Sequence, residues 1–411
     1  MTVKQHSRPP RISHGWRIVI ALAVTQTVGY GVLYYAFAVF LGPMRRDLGA
    51  SVSQVTGAFT LAVLITGLAA PLVGRWLDRH GGRGLMTLGS IAGTLATFAW
   101  SRVDNLPALY AVLAVIGLSS AMTLYEPAFA IVVAWFDPDR RSTALLTVTL
   151  VAGFASSIFL PLTGLLVDHY GWRTALVLLA VIHAVTTIPL HAFFIRRPPL
   201  AGDPAPAGHE DPAPAGRGEP RGDAGVRQAM RGRAFWLLAV AFVAHTAAVA
   251  IVAVHLLAYL TELGHSPTFA ASVTGLLGIL SVTGRLVTTG LHRRFSAAGV
   301  TAAVFFLQAV AALLLPVLGR SGAGAVACVI AFGIGFGVGT LARPVLLAER
   351  YGVTDYASIA GAQALPIMLA KALGPLAAAF LSQGMGYPFV MLVVAVCSVV
   401  ASALLVAYAR A

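Results

Sequence analysis

The sequence predicts an all-α integral membrane protein in which twelve transmembrane helices form two pseudo-symmetric bundles of six. Of its 411 residues, 58% are hydrophobic and only 10% are charged, whereas soluble globular chains are about half apolar and about a quarter charged. Apolar runs long enough to cross a hydrocarbon core of ~30 Å follow one another along the chain. A polar central segment separates six of these runs from six more, so the composition excludes a soluble enzyme and a disordered scaffold.

The apolar runs define the predicted elements in order. Helices are favoured because lipid offers no partner for unpaired backbone groups, and the short alternating strands of a membrane barrel are missing from the pattern. We expect a first bundle over 1–195, a flexible cytoplasmic linker over 196–232 and a second bundle over 233–411. The linker repeats D-P-A-P-A-G at 203–208 and 211–216, a composition that cannot bury a core. The twelve helices are predicted over 15–41, 53–77, 84–101, 106–136, 142–167, 172–195, 233–261, 267–291, 298–318, 322–349, 356–384 and 386–409.

The distribution of lysine and arginine predicts the orientation. Segments on the side of the N-terminus and the linker carry 20 of the 28 basic residues, and the opposite loops carry five. Cytoplasmic loops are enriched in these residues, so we expect a multi-pass protein of the cell membrane with both termini in the cytoplasm. Orientation also explains the net charge of +13 without a nucleic-acid partner.

The sequence offers no pattern typical of catalysis. Cys328 and Cys397 lie in apolar runs and provide neither a disulfide framework nor metal-ligand spacing. No catalytic constellation and no glycine-rich phosphate loop joined to a nucleotide site is evident. We therefore expect no enzyme activity, no metal and no cofactor.

Two motifs connect the halves to a known family. T-L-Y-E-P at 123–127 and T-L-A-R-P at 340–344 occupy matching places in the fourth helix of each half, and related halves recur in transporters. The loop between helices 2 and 3 reads G-R-W-L-D-R-H-G-G-R at 74–83. With this loop the chain resembles the major facilitator superfamily of secondary transporters, whose pattern is G-x-x-x-D-R-x-G-R-R; Gly82 departs from it. Helix count, long central loop and orientation extend the resemblance over nearly the whole chain.

A narrower resemblance is to the oxalate/formate and monocarboxylate branch. The oxalate/formate exchangers use an arginine in helix 8 and a lysine in helix 11 for carboxylates, and Arg285 and Lys371 stand at these places. The motifs that carry this resemblance are H-G-W-R at 14–17, W-F-x-x-x-R-R at 135–141 and F-L-P-L-T-G-L-L-V-D-H-Y-G-W-R at 159–173.

The departures from this branch bear on coupling and on the alternatives. Ser281 stands where monocarboxylate relatives often have an aspartate, and helix 1 lacks the lysine of some relatives, so proton symport and anion exchange both stay open. The helix-5 motif of drug antiporters, G-P-x-x-G-G, is replaced by L-P-L-T-G-L at 160–165. The missing motif makes efflux of drug-like molecules less favoured than carboxylate transport. Drug efflux and a non-transporting sensor are the two alternative functions.

Four ionisable residues lie inside predicted helices: Glu126, Arg285, Arg343 and Lys371. Each charge costs at least ~2.5–3.5 kcal/mol in a bilayer unless it faces a partner or a cavity. Arg285 lies nine residues before Arg294, about 13 Å deep, and Lys371 lies near the midplane, where transporters bind substrate. The surplus of positive charge predicts an anionic substrate, since unpaired charge in the membrane is costly until an anion binds. A carboxylate is the expected anion, because a guanidinium donates two parallel hydrogen bonds to it.

The same four residues suggest a division of roles. Arg343 and Glu126 occupy matching places, so they either pair across the pseudo-twofold axis as a gate or contribute separately, Arg343 to substrate and Glu126 to a proton. Tyr30 and Tyr34, four residues apart on one helical face, are candidates to orient carboxylate oxygens. Aromatic packing and a structural role for each base are the competing interpretations.

The loop motif predicts a conformational lock. In the resembled family, the aspartate at the position of Asp78 meets the start of helix 11, here near Tyr356, because an anion is stabilised at a helix N-terminus. Arg79 and Arg83 are expected to contact neighbouring carboxylates and anionic lipid. The sequence thus predicts a monomeric secondary transporter of small mono- or dicarboxylates that works by alternating access, coupled to protons or to a counter-transported anion.

Overall fold

The computed structural model of the protein describes residues 14–197, 223–292 and 294–411. Both copies of the D-P-A-P-A-G repeat, most of the predicted linker and the basic residues of the N-terminal tail before His14 lie outside the described residues. The inner end below is the end that carries the loops between α3 and α4, α6 and α7, and α14 and α15. The outer end is the opposite one.

The first half begins with a helix that is not a uniform α-helix. Its middle forms a single π-helical turn, Gly31–Tyr35, so that one continuous helical stretch runs over 14–47. Another long helix divides at Gly171, whose φ of 75° is accessible to glycine without a Cβ clash. The helices of this half are α1 (His14–Tyr30), α2 (Ala36–Asp47), α3 (Val52–His80), α4 (Gly82–Trp100), α5 (Leu106–Thr123), α6 (Tyr125–Trp135), α7 (Pro138–Ala152) and α8 (Ala155–Phe194).

The second half repeats this plan after a short extra helix, α9 (Asp223–Arg231). Its last helix divides at Gly386, with a φ of 76°, as the first half does at Gly171. The remaining helices are α10 (Arg233–Glu262), α11 (Pro267–Leu291), α12 (Ala297–Leu318), α13 (Gly322–Phe336), α14 (Val338–Tyr351) and α15 (Tyr356–Ala409).

The described residues are consistent with twelve spans. Nine helical stretches in this part of the chain are long and apolar enough to cross a membrane. Those over 138–194 and 356–409 each contain two spans, divided at the two glycines, and α4 provides the remaining one. All the elements of the described residues are helical, and the predicted all-α membrane class is confirmed.

The linker differs from its prediction at one end. Residues 196–232 were expected to be flexible, but Asp223–Arg231 forms α9. The buried Ala229 belongs to the core at the inner end, and Val226 packs against that core. Packing against membrane helices gives this segment an apolar partner, which the composition of the linker as a whole does not reveal.

The cores show how the halves meet. One cluster of buried side chains includes residues of both halves, among them Leu77 and Phe136 of the first and Leu346 and Ile359 of the second, and lies at the inner end. At the outer end the first half has a separate cluster around Trp100, and the second half has another. The halves are therefore packed together at the inner end and have independent cores at the outer end.

Candidate functional site

The inner end is held by a contact between α3 and the start of α15. The carboxylate of Asp78 accepts hydrogen bonds from the backbone amides of Ala357 at 3.2 Å and Ser358 at 2.8 Å. First-turn amides have no partner within their own helix, so an acceptor here also faces the positive end of the helix dipole. Approach of the backbones requires Gly74, because a Cβ there would collide with the Ala357 main chain.

A second connection joins α6 to α14. The guanidinium of Arg343 forms an ion pair and hydrogen bond with the carboxylate of Glu126. The side chains are only 9% and 21% exposed, and Tyr356 lies within electrostatic range of both. The two motif residues thus pair between the halves, so neither charge is unbalanced in this conformation.

Helix breaks lie beside this ion pair in both halves. Leu124 separates α5 from α6 with a ψ of −155°, and Gly337 separates α13 from α14. Pro127 lies in the first turn of α6, where its missing N–H removes no helical hydrogen bond. Pro344, in contrast, lies inside α14, seven residues beyond Gly337. The proline that the two motifs share therefore lies at a different distance from the helix break in each half.

Arg285 of α11 lies at the boundary between the halves. It is 7% exposed, and its Nε donates to the carbonyl oxygen of Gly337 at 3.1 Å. Its Nη1 donates across the boundary to the carbonyl oxygen of Thr149 at 2.8 Å. The close approach of Arg285 and Gly337 also requires a glycine, since a Cβ at position 337 would meet the guanidinium and Ser281.

Lys371 of α15 faces the π-helical turn of the first half. Its Nζ lies 4.5 Å from the centroid of the Tyr34 ring, within the range of a cation–π interaction. Tyr35 of the same turn lies within electrostatic range of both Lys371 and Arg285. Arg285, Lys371, Tyr34 and Tyr35 form what we call the central cluster.

The positive charge of the central cluster has no acidic partner in the described part of the chain. The ion pairs found there are Arg343 with Glu126 and Arg173 with Asp47. Arg285 instead binds two carbonyl oxygens, and Lys371 contacts a tyrosine ring. Two formal positive charges therefore remain between the halves, an arrangement that is costly in low dielectric until an anion arrives.

The tyrosines pack together at the edge of this cluster. Tyr30 contacts Tyr34, with ring centroids 6.2 Å apart, and Tyr125, at 4.6 Å. Tyr30 and Tyr34 were expected to lie on one face of an α-helix. Their rings do lie close together, but the turn that begins directly after Tyr30 is π-helical. π-helical turns are frequent at functional sites, and no pattern in the sequence predicts this one.

Sequence reasoning missed some contributors and misjudged others. The Thr149 carbonyl was not predicted as a partner of Arg285, because a main-chain acceptor leaves no trace in a sequence. Arg79 and Arg83 were expected to contact carboxylates, but their side chains are exposed, and neither forms an ion pair among the described residues.

Comparisons with known proteins agree with this architecture. The family model described as Major Facilitator Superfamily matches residues 23–365. Monocarboxylate transporter 13 of Bos taurus is 25% identical over 284 residues, which are 68% of this chain and 62% of that protein. The oxalate:formate antiporter of Oxalobacter formigenes is 29% identical over 182 residues, 44% of this chain and 42% of that protein. The chain thus spans less than two thirds of the length of these relatives.

A solved structure has the same fold. The crystal structure of a bacterial homologue of the iron transporter ferroportin in an outward-facing state superposes with a TM-score of 0.75. The match covers 97% of this chain and 100% of that one at 14% identity. At this identity the likeness concerns the fold alone.

Proposed function

Since the chain belongs to the major facilitator superfamily, we propose that it carries a small organic carboxylate across the cell membrane by alternating access. The observation that supports this cargo is the uncompensated positive charge of the central cluster. An anion between the halves offsets that charge, and a carboxylate matches the planar fork of Arg285. The similarity to proteins named as monocarboxylate and oxalate:formate transporters supports the same substrate class.

The geometry supports a particular starting point of the cycle. With the inner end in the cytoplasm, the shared inner core and the separate outer cores describe a carrier that faces outward. A carboxylate entering from outside meets Lys371 and the tyrosines first, because Arg285 is more deeply buried. Tyrosine hydroxyls are suited to donate to carboxylate oxygens.

Binding and inward opening are linked through Arg285. A carboxylate that takes hydrogen bonds from this guanidinium competes with the carbonyl of Thr149 in the other half. Inward opening also separates Asp78 from α15 and Glu126 from Arg343. Once separated, Glu126 requires a proton or another cation and Arg343 an anion, because lone charges are costly in the membrane.

This last requirement favours proton symport but is compatible with exchange. A proton on Glu126 removes the negative charge that inward opening would leave unpaired, and an anion between the halves offsets part of the positive charge of Arg343 and the central cluster. In an exchanger, the returning anion neutralises the bases instead. Two positive charges at the central cluster suit a dicarboxylate, or a monocarboxylate with Lys371 neutral.

A binding screen tests the proposal directly. Purified protein is heated in the presence of small mono- and dicarboxylates, because a ligand that binds only the folded state raises its stability. We expect selected carboxylates to raise the Tm and matched neutral amides to leave it unchanged. The Arg285→Gln variant should unfold at a similar temperature without ligand and lose the shift. A carboxylate that stabilises both proteins equally contradicts the assigned site.

A further inference from the structure

The break in the fourth helix of the first half is supported by a side chain of the first helix. Nε2 of Gln26, in α1, donates a 2.7 Å hydrogen bond to the carbonyl oxygen of Thr123, the last residue of α5. Both residues lie in the interior, since Gln26 is fully buried and Thr123 is 3% exposed. The contact therefore joins two helices of the same half, and neither residue belongs to the central cluster.

The Thr123 carbonyl needs this donor because its own helix cannot supply one. The last carbonyls of an α-helix have no partner within it, and Leu124 leaves helical geometry with a ψ of −155°. If the helix continued, the carbonyl would face the residue four positions on, Pro127, which has no N–H. In both cases the oxygen requires a donor from another helix, because buried polar groups are normally satisfied. The Gln26 amide supplies that donor.

Helix α1 contacts three successive residues of the first-half motif. Gln26 binds Thr123, and Gly29 lies so close to the next motif residue that a Cβ would come within 3.1 Å of the Leu124 side chain. The ring of Tyr30 lies 4.6 Å from the ring of the residue after that, Tyr125. Positions 26, 29 and 30 share one face of a helix, so a single face of α1 fixes the break.

The same contacts determine where the following residue lies. Glu126 is in the first turn of α6, directly after Tyr125, and its carboxylate pairs with Arg343 of the second half. Because α6 starts immediately after Leu124, a rotation of the break would move this carboxylate away from Arg343. The position of the inter-half ion pair therefore depends on how the break is held.

The second half has a histidine, not a glutamine, at the matching place. His245 lies twelve residues after the first residue of α10, as Gln26 does after the first residue of α1. Its ring stacks on Phe305, with centroids 3.8 Å apart, and packs against Gly339. In this half the fourth helix breaks before its motif, at Gly337, whereas in the first half it breaks inside the motif. The place of the break thus differs together with the side chain that the neighbouring helix presents.

We propose that Gln26 is a positioning residue for Glu126: its amide fixes the break at Leu124 and so directs the carboxylate toward Arg343. Gln26 thereby keeps the inner end closed without being a member of the ion pair. The proposal rests on this ion pair as a closing contact but not on the identity of the cargo. It is tested without substrate, so it and the carboxylate proposal fail in different experiments.

Cysteine labelling at the inner end tests the role of Gln26. Ala348 is buried in the core there, so Ala348→Cys, with both native cysteines replaced by serine, reacts when this end opens. We expect Gln26→Met, which removes the donor but keeps a side chain of similar length, to label roughly three- to tenfold faster, as the loss of one hydrogen bond predicts. In a Glu126→Gln background the same change should add nothing, because residues that act through one contact are not additive.

Gln308→Met is the matched control. Gln308 is equally buried, and its Nε2 donates to the carbonyl oxygen of Phe332 at 3.0 Å. This oxygen lies inside α13, however, and the residue four positions on, Phe336, has an N–H for it. The control therefore measures the loss of a buried amide that supports no helix break, and we expect a lower Tm with parent-like labelling.

The outcomes distinguish positioning from general stabilisation. Parent-like labelling of Gln26→Met, equally fast labelling of Gln308→Met, or full additivity with Glu126→Gln would each overturn the proposal. If the methionine variant does not fold, Gln26→Asn withdraws the same amide by one methylene. It should label faster than the parent and, like the methionine variant, add nothing to Glu126→Gln.

Discussion

Nη1 of Arg285, in the second half, donates a 2.8 Å hydrogen bond to the carbonyl oxygen of Thr149, in the first half. The same carbonyl accepts the amide of Gly153 at the end of α7, and Nε of Arg285 binds Gly337 between α13 and α14. One guanidinium thus joins the ends of helices from both halves. Under the proposed function, a carboxylate that takes a hydrogen bond from Nη1 competes with this connection between the halves.

The Glu126–Arg343 ion pair should stabilise the closed inner end. Glu126→Gln leaves Arg343 with a neutral partner, and a hydrogen bond to a charged group is worth about 1.5–3 kcal/mol. We expect the open-inward population to rise roughly 10- to 100-fold, since 1.4 kcal/mol corresponds to a factor of about ten. The measurement is labelling of a cysteine at Ala348, which is buried in the shared inner core, after both native cysteines are replaced by serine.

The matched control for this pair is the double variant Glu126→Gln, Arg343→Gln. Because it leaves no lone charge, its labelling rate should fall below that of either single variant. Equal labelling of the parent and Glu126→Gln proteins would show that the pair does not hold the inner end closed.

Asp78→Asn should act on the same equilibrium through a different contact. The amide retains an acceptor oxygen but loses the negative charge that faces two first-turn amides. We expect faster labelling at Ala348 and higher accessibility of the inner end. Arg79→Gln is the control, since its exposed side chain makes no ion pair among the described residues and its removal should leave labelling unchanged. A rate in Asp78→Asn no higher than in this control contradicts the lock.

Gly74→Ala tests the backbone contact independently of charge. A Cβ at this position cannot coexist with the Ala357 main chain in the closed form, so the inner end must separate. We expect labelling at Ala348 to increase and outward-facing binding to weaken. Gly84→Ala, near the same end, places its Cβ in open space and should label like the parent. Parent-like labelling of both variants would mean that α3 and α15 are not in contact in the resting protein.

Lys371 should determine whether the central cluster prefers dicarboxylates or monocarboxylates. Lys371→Gln removes one of the two positive charges of the central cluster, whereas Lys371→Arg retains it. We expect the glutamine variant to lose at least about tenfold in affinity for dicarboxylates, as an interaction of about 1.4 kcal/mol or more predicts, and to change less for monocarboxylates. Calorimetric titration of both variants provides the comparison, and an unchanged preference in Lys371→Gln would exclude Lys371 from recognition.

Most of the architecture is predictable because long apolar runs form transmembrane helices in a lipid bilayer. The division into two halves follows from the polar central segment. The charged residues inside the helices are located by their positions within the apolar runs. The pairing of Glu126 with Arg343 was one of two open interpretations, since matching places in repeated halves put two residues near the axis without fixing their rotamers.

Other features have no signature in a single sequence. The π-helical turn before Ala36 begins at Gly31, which packs closely against Phe159, and the break between α13 and α14 lies at Gly337, seven residues before Pro344. Arg285 was predicted from the resemblance to oxalate/formate exchangers and from its depth and charge. Its acceptors are main-chain oxygens, however, and these become available only when α7 and α13 end where they do.

Uptake of a radiolabelled carboxylate into proteoliposomes tests the central claim, with the substrate chosen from the binding screen. The native protein and Arg320→Gln, which changes an exposed residue at the outer end, should accumulate it. Arg285→Gln should lose at least about 100-fold in uptake at low substrate, because a charged, bidentate contact is worth about 3 kcal/mol. Full uptake by Arg285→Gln, in protein with a native-like Tm, would contradict the account.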